Sequence, residues 1–212
     1  MRYSLKLLAA TVFLISSPVE AVVTDNSSVT KSVVSEEVKI AQVEGKKQRR
    51  DEALRLNELG VQQFKRGEYR EALNNFEQAL VIFKEIGERK SEGGTLNNIG
   101  LVYSSLGEYP KALNYYQQSL AIRKQVDDKS GGGTTLNNIG EVYYQFGEYE
   151  QALDYYQQAL AIKKQVGDKP GEGNTLNNIA SLLKTQKQPK LAIVFYKQSV
   201  STYEQIRKQL KT

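Results

Sequence analysis

The chain lacks three residue types that carry much of protein chemistry, because it contains no cysteine, no histidine and no tryptophan. Without cysteine there is no disulfide, no thiolate nucleophile and no zinc-finger ligand set. Without histidine the commonest metal ligand and the usual general base at neutral pH are also missing. The composition therefore predicts a protein that is not an enzyme, with no catalytic residues, no metal site and no cofactor.

A basic stripe is also lacking, although the formal net charge is +5. The 29 basic residues are interspersed with 24 acidic ones, whereas nucleic-acid-binding proteins cluster their basic residues on one face. The densest basic run covers residues 46–50, and we interpret it as a solvated helix start rather than a contact with lipid or another acidic surface. No nucleic-acid partner is predicted.

The apolar run near the N-terminus, residues 7–15, is too short for the ~20 residues that cross a bilayer as a helix. Arg2 and Lys6 flank it on one side, and small residues ending at Ala21 follow it. This pattern predicts a signal peptide over residues 1–21, cleaved after Ala21. The protein is then expected in the periplasm or secreted, with no membrane attachment after cleavage. The alternative is a retained anchoring helix.

Residues 22–45 are rich in Val, Ser, Thr and Glu and have no sustained helical period. We expect a flexible linker here, and a short helix or strand lying on the next segment is the alternative.

The rest of the chain is dominated by an internal repeat. The pattern Leu-Asn-Asn-Ile-Gly, or a close variant, recurs every 40 residues, at 56–60, 96–100, 136–140 and 176–180. A fixed period of this size is typical of a solenoid, in which each unit buries its apolar face by stacking on its neighbours.

Each unit has the spacing of a helical hairpin. In the second unit, Leu96, Ile99 and Tyr103 share one helical face, a turn follows at residues 107–109, and Ala112 begins a second apolar face. Glycine and alanine recur where two helices must approach closely. We interpret the glycine-rich segments, such as residues 130–133, as loops between helices rather than as phosphate-binding loops. The units are expected at about 53–92, 93–132, 133–172 and 173–212.

These units resemble tetratricopeptide repeats in a 40-residue form. The second unit matches the family pattern at Leu96, Ile99, Gly100, Tyr103, Ala112 and Tyr116. The fourth departs from it, with Ala180 for glycine, Leu183 for an aromatic residue and Lys187 for the turn glycine. The Thr-Leu-Asn-Asn-Ile pattern is similar to the repeats of kinesin light chains and to those that precede CHAT protease domains in bacterial proteins. The resemblance implies an all-α fold over residues 46–212, a right-handed α-solenoid of four stacked helical hairpins.

The resemblance also implies that the first helix of each hairpin lines a concave groove that holds peptides. Asparagine is a mediocre helix former, so its recurrence on these helices calls for a reason. Its amide would match the N–H and C=O of a bound peptide backbone, and the alternative is that it bonds to neighbouring helices or to water. The predicted groove residues are Asn57, Asn97, Asn98, Leu101, Asn137, Asn138, Glu141, Tyr144, Asn177 and Asn178.

The function expected from this resemblance is that of a scaffold for protein–protein interaction, with a protein or peptide partner in the groove. The alternative is a recognition subunit, or a truncated form, of a tetratricopeptide-repeat CHAT protease system. Homo-oligomers are a further expectation, because stacked ends with exposed apolar faces can pair.

Overall fold

The computed structural model describes residues 27–210, and these residues form eight helices and no strand. The predicted signal peptide, residues 1–21, lies outside the described residues. The helices are α1 (Ser27–Lys65), α2 (Tyr69–Ile86), α3 (Arg89–Ser105), α4 (Tyr109–Gln125), α5 (Lys129–Gln145), α6 (Tyr149–Gln165), α7 (Lys169–Thr185) and α8 (Pro189–Gln209).

The segment for which a flexible linker was expected is helical from Ser27 onward, so that expectation is corrected over residues 27–45. These residues include no proline and a single glycine, Gly45. Extending an existing helix costs little compared with nucleating one, so a weakly patterned segment can join a helix that is fixed farther along the chain. The contacts divide the chain into two units, with the boundary between Val43 and Glu44.

The turn inside each hairpin uses a residue in the left-handed conformation. Gly107, between α3 and α4, has φ of 75°, and its N–H donates to the Ser104 carbonyl at 3.0 Å. Lys187 occupies the same place in the fourth hairpin, with φ of 58° and a bond of 3.0 Å to Lys184. The missing glycine therefore leaves the turn geometry unchanged, at the cost of a non-glycine residue in a disfavoured region.

The glycine-rich segments are not loops, which corrects the sequence interpretation. The helices α5 and α7 begin at Lys129 and Lys169, so both segments form first turns of helices. Asp128 caps α5 by accepting a hydrogen bond from the Gly131 N–H at 3.2 Å. A Cβ at Gly133 would lie only 3.0 Å from the Ile162 side chain on α6. Close helix contact explains Gly133, and the hairpins begin earlier than the predicted boundaries.

The core of each of the first three hairpins forms where a glycine meets an aromatic ring, and Ala180 takes the place of this glycine in the fourth. A Cβ at Gly100 in α3 would lie 2.5 Å from the ring of Tyr116 in α4, and one at Gly140 would lie 2.8 Å from the ring of Tyr156. Both tyrosines are almost fully buried. The expected close approach of the two helices at these small residues is confirmed.

The stack has an inner and an outer layer. Each hairpin packs on the next, because α2 contacts α3, α4 contacts α5 and α6 contacts α7. The first helices α3, α5 and α7 also contact one another in succession, whereas no such contact joins α4, α6 and α8 in the described part of the chain. First helices that lie closer together than second helices form the concave layer of a curved stack. The predicted all-α solenoid of helical hairpins is confirmed.

Candidate functional site

The predicted groove residues all lie on first helices, in α1, α3, α5 and α7. They do not form one uniform surface. The asparagines of the repeated pattern bond between repeats, Leu101 packs in an apolar cluster, and four of the predicted residues converge in a small pocket near the end of the stack.

The repeated asparagines link successive first helices. The side-chain oxygens of Asn57, Asn97 and Asn137 each accept two hydrogen bonds from the following first helix, one from a threonine hydroxyl and one from an asparagine amide. The donor pairs, at distances between 3.1 and 3.3 Å, are Thr95 and Asn98, Thr135 and Asn138, and Thr175 and Asn178. The sequence left two explanations for these asparagines, which were bonds to a bound peptide or bonds to neighbouring helices or to water. These three asparagines bond to neighbouring helices.

The threonines in this arrangement were not recognised from the sequence. Thr95, Thr135 and Thr175 are almost completely buried, and each precedes the repeated Leu-Asn-Asn pattern at a fixed position. A buried hydroxyl needs a hydrogen-bond partner. A threonine that recurs at the same position of each repeat, beside the asparagines, could therefore have indicated this hydrogen bond from the sequence.

Asn177 differs from the other asparagines at its phase because no further repeat follows α7 and α8 in the described residues. Its side chain is exposed, and within residues 39–210 it makes no hydrogen bond like those of Asn97 or Asn137. The neighbouring Asn178 donates its amide to Asn137 at 3.1 Å. The asparagine series therefore ends in an open amide on the inner surface.

A polar pocket lies beside this open amide. It has a volume of about 210 Å³ and is lined by Glu141, Tyr144, Tyr156, Asn177, Asn178 and Ser181. Glu141 and Tyr144 come from α5, Tyr156 from α6 and the other three from α7. Two residues that were absent from the prediction, Tyr156 and Ser181, complete it. Tyr156 packs in the core of its hairpin against Gly140, and its hydroxyl is the part that reaches the pocket.

Glu141 is the charged residue of the pocket. Its Oε2 accepts a hydrogen bond from the Tyr156 hydroxyl at 2.8 Å, and its Oε1 accepts one from the Gln145 amide at 2.8 Å. Burial, followed by the nearby Glu141 charge, raises the pKa of Tyr156 far above its ordinary value. Tyr156 therefore stays a neutral hydrogen-bond donor at every physiological pH.

Tyr144 and Leu101 are both predicted groove residues, but they pack in different apolar clusters. The Tyr144 ring lies 5.7 Å from that of Tyr149, and its hydroxyl lies 2.9 Å from the Thr185 hydroxyl. Leu101 packs near Ile139 and is half-buried. Tyr144 thus belongs to the pocket, and Leu101 belongs to the contact between the second and third repeats.

Buried charge away from the pocket is paired. The Lys163 ammonium, almost fully buried, donates to Asp168 at 2.7 Å and to the Thr134 hydroxyl at 2.7 Å. The hydrogen bond from Lys163, together with that from the Gly171 N–H, holds the pKa of Asp168 below its ordinary value. This group closes the turn between α6 and α7 and has a structural role.

Among the residues that the structure describes, no three acidic side chains converge as metal ligands would. None of the described helices combines the length and the apolar character that a membrane span requires.

The family assignment follows from the repeats. A family pattern described as "Tetratricopeptide repeat" matches residues 51–125 and 133–205, which is more than half of the chain. The chain belongs to the tetratricopeptide repeat family. The family predicted from the sequence is confirmed. Among curated proteins, none is similar enough to this tetratricopeptide repeat protein to count as a match.

Solved structures share the fold at low sequence identity. BtubC (BKLC) from P. vanneervenii is 20% identical with a TM-score of 0.63, over 72% of this chain and 63% of that one. Aspartyl phosphate phosphatase F from Bacillus subtilis is 16% identical with a TM-score of 0.71, over 74% and 42%. The Rap conjugation gene regulator of plasmid pLS20, solved in complex with the Phr* peptide, is 19% identical with a TM-score of 0.61, over 67% and 40%. The matched region is less than two thirds of the length of each of these proteins.

Proposed function

We propose that this protein is a scaffold for protein–protein interaction, which holds a peptide or protein segment along the concave surface formed by its first helices. The observation that carries the proposal is the inner-surface pocket, where Glu141, Tyr144, Asn177 and Asn178 come together. Polar side chains that converge in a concave site can fix the position and orientation of a bound segment.

The variation between repeats supports the same proposal. The positions equivalent to Glu141 in the other repeats hold Val61, Leu101 and Ser181, while the asparagine and threonine contacts beside them recur. A constant framework with differing residues at one inner position is the arrangement by which a repeat protein distinguishes partners.

A protein with a similar fold adds support, because the Rap regulator of plasmid pLS20 was solved with a bound peptide. The likeness between that protein and this chain is one of fold, at 19% identity. It supports peptide binding as an activity of this architecture and leaves the partner of this chain to experiment.

Capture of a partner with matched variants tests the proposal. The full chain serves as bait beside Asn177→Arg, which obstructs the inner surface at an exposed residue, and Gln157→Arg, which places the same charge at an exposed residue of the outer helix α6. We expect the wild-type chain and Gln157→Arg to retain a partner that Asn177→Arg loses. Retention of that partner by Asn177→Arg, with loss by Gln157→Arg, would move the interface to the outer layer.

We further propose that the scaffold works outside the cytoplasm, in the periplasm or after secretion. The support is the basic, apolar and small-residue pattern of residues 1–21. Intact-mass measurement of the protein from its native source is expected to show Val22 as the first residue. A chain that keeps Met1 in a membrane fraction would favour the anchored alternative.

The second candidate, a recognition subunit or truncated form of a CHAT protease system, rests on the repeated Thr-Leu-Asn-Asn pattern. The capture experiment separates it from the general scaffold. A CHAT-domain protease among partners that Asn177→Arg loses would favour it, and a partner unrelated to proteolysis would count against it.

A further inference from the structure

The carboxylate of Glu141 is a charge without a counter-charge. Among the four equivalent inner positions, only this one is ionisable, because the others hold Val61, Leu101 and Ser181. None of the ion pairs in the described part of the chain includes Glu141. The residue is nevertheless half-buried in the wall of a pocket. A carboxylate in such a place loses part of its hydration and gains most from a cation that enters the pocket.

Support of the Tyr156 hydroxyl does not by itself require a charge at position 141. In the preceding repeat the equivalent Tyr116 is equally buried, and the hydrogen-bonding side chain beside its hydroxyl is the neutral Ser104. A neutral partner is therefore sufficient for a buried tyrosine in this fold. The negative charge of Glu141 is a feature beyond what the packing of its hairpin needs.

The pocket has hydrogen-bond acceptor sites that no donor of the protein fills. Each oxygen of Glu141 accepts one hydrogen bond, from Tyr156 or Gln145, and an ionised carboxylate has about four acceptor sites. Asn177 adds an amide oxygen of the kind that accepts two hydrogen bonds in Asn97 and Asn137. No basic side chain lines the pocket.

The size and walls of the pocket suit a planar cation. Its volume is about 210 Å³. Tyr144 is one of the residues that line it, and aromatic rings attract cations. A guanidinium group presents five N–H donors in one plane, whereas an ammonium presents three around a point. Several acceptors beside an aromatic wall favour the guanidinium.

We infer that this pocket binds the guanidinium group of an arginine side chain in the segment that the scaffold holds, with Glu141 as the charged acceptor and Asn177 as a neutral one. The inference rests on the proposed scaffold function and names the chemistry of its partner at one position. Arginine is preferred over lysine at this position, and neutral residues bind weakly.

The cation of this chain nearest along α7 is Lys184, which is exposed and is not part of the pocket wall. Its positive charge opposes the entry of a second cation. Removal of that charge in Lys184→Gln is therefore expected to strengthen arginine binding modestly, about two-fold, as exposed charges interact weakly through water.

The test uses the full chain and three small probes, which are N-acetyl-arginine amide, the lysine analogue, and the citrulline analogue as an uncharged isostere of arginine. Binding is followed by NMR at the side-chain amides of Asn177 and Gln145. We expect the arginine probe to bind most tightly, and Glu141→Gln to weaken it by about tenfold or more, as the loss of a charged hydrogen bond implies. Glu150→Gln, the same change at an exposed residue of α6, is the control and should leave binding unchanged.

Any of three results would overturn the inference. The first is equal binding of the citrulline and arginine probes, and the second is arginine binding that Glu141→Gln leaves intact. Absence of any shift at the Asn177 and Gln145 amides with tens of millimolar arginine probe would overturn it as well. The scaffold proposal is decided separately, because partner capture compares Asn177→Arg with Gln157→Arg and does not depend on arginine. A melting temperature of Glu141→Gln equal to that of the wild type shows that the variant keeps its fold.

Discussion

Replacement of Asn97 by alanine removes the side-chain oxygen that joins the second repeat to the third. Asn97 is 5% exposed and accepts hydrogen bonds of 3.1 Å from both Thr135 and Asn138. Each intramolecular hydrogen bond contributes about 1 kcal/mol net, so the loss of two is worth about 2 kcal/mol. Asn177→Ala is the matched control, because it makes the same substitution at the same phase of a first helix, at an exposed side chain that accepts no such pair of hydrogen bonds within the described residues.

The difference between the two variants isolates the contact between repeats. Alanine is the better helix former at both sites, so its gain of several tenths of a kcal/mol cancels in the comparison. Unfolding followed by far-UV circular dichroism, in urea and on heating, is expected to show Asn97→Ala less stable than Asn177→Ala by about 2 kcal/mol. For a chain of this size that is about 4–8 °C in Tm. Equal stability of the two variants would refute the assignment of Asn97 to packing.

Four further substitutions test the packing and charge of the stack by the same unfolding measurements. Gly100→Ala should lower the stability of the fold by about 1–3 kcal/mol, because its Cβ would lie 2.5 Å from the Tyr116 ring. Gly132→Ala, whose Cβ would have its nearest neighbour at 3.9 Å, should raise the stability by up to about 1 kcal/mol. The reverse order of the two variants would contradict the packing. Lys187→Gly should stabilise by roughly 1 kcal/mol by relieving its positive φ, and a loss of stability would count against strain there. Asp168→Asn should be less stable than the wild type at neutral pH. This difference in stability should vanish as the pH falls through the folded-state pKa of Asp168, which lies below its ordinary 3.8. A difference that persists in acid would exclude the Asp168 charge as its origin.

The fold was predictable from the sequence because its determinants repeat. Leu96, Ile99 and Gly100 recur at one phase in every unit with few changes, so helix faces and close contacts could be inferred without coordinates. The helix starts were less predictable. Three consecutive glycines at 131–133 read as a loop, whereas contact with Ile162 and capping by Asp128 favour a helix. Tertiary packing there outweighs a poor intrinsic propensity.

The site was predictable only in part, because the same side chain serves two purposes at different places in the stack. Asn97 and Asn177 occupy the same phase, yet one is held between repeats and the other is open. The sequence alone identifies the helix face on which the asparagines lie. It does not show which of their amides are hydrogen-bonded to the next repeat. The contribution of Tyr156 to the pocket depends on its hydroxyl reaching Glu141 across two helices, a distance that no sequence pattern encodes.

We propose that the inner surface near Glu141 and Tyr144 holds the partner. Site-specific photocrosslinking in the producing cell tests it most directly, with a photoreactive residue placed at position 144 in α5 or, as a control, at position 157 in α6. We expect a crosslinked partner from position 144 and none from position 157. A partner captured from position 157 but not from position 144 would contradict it.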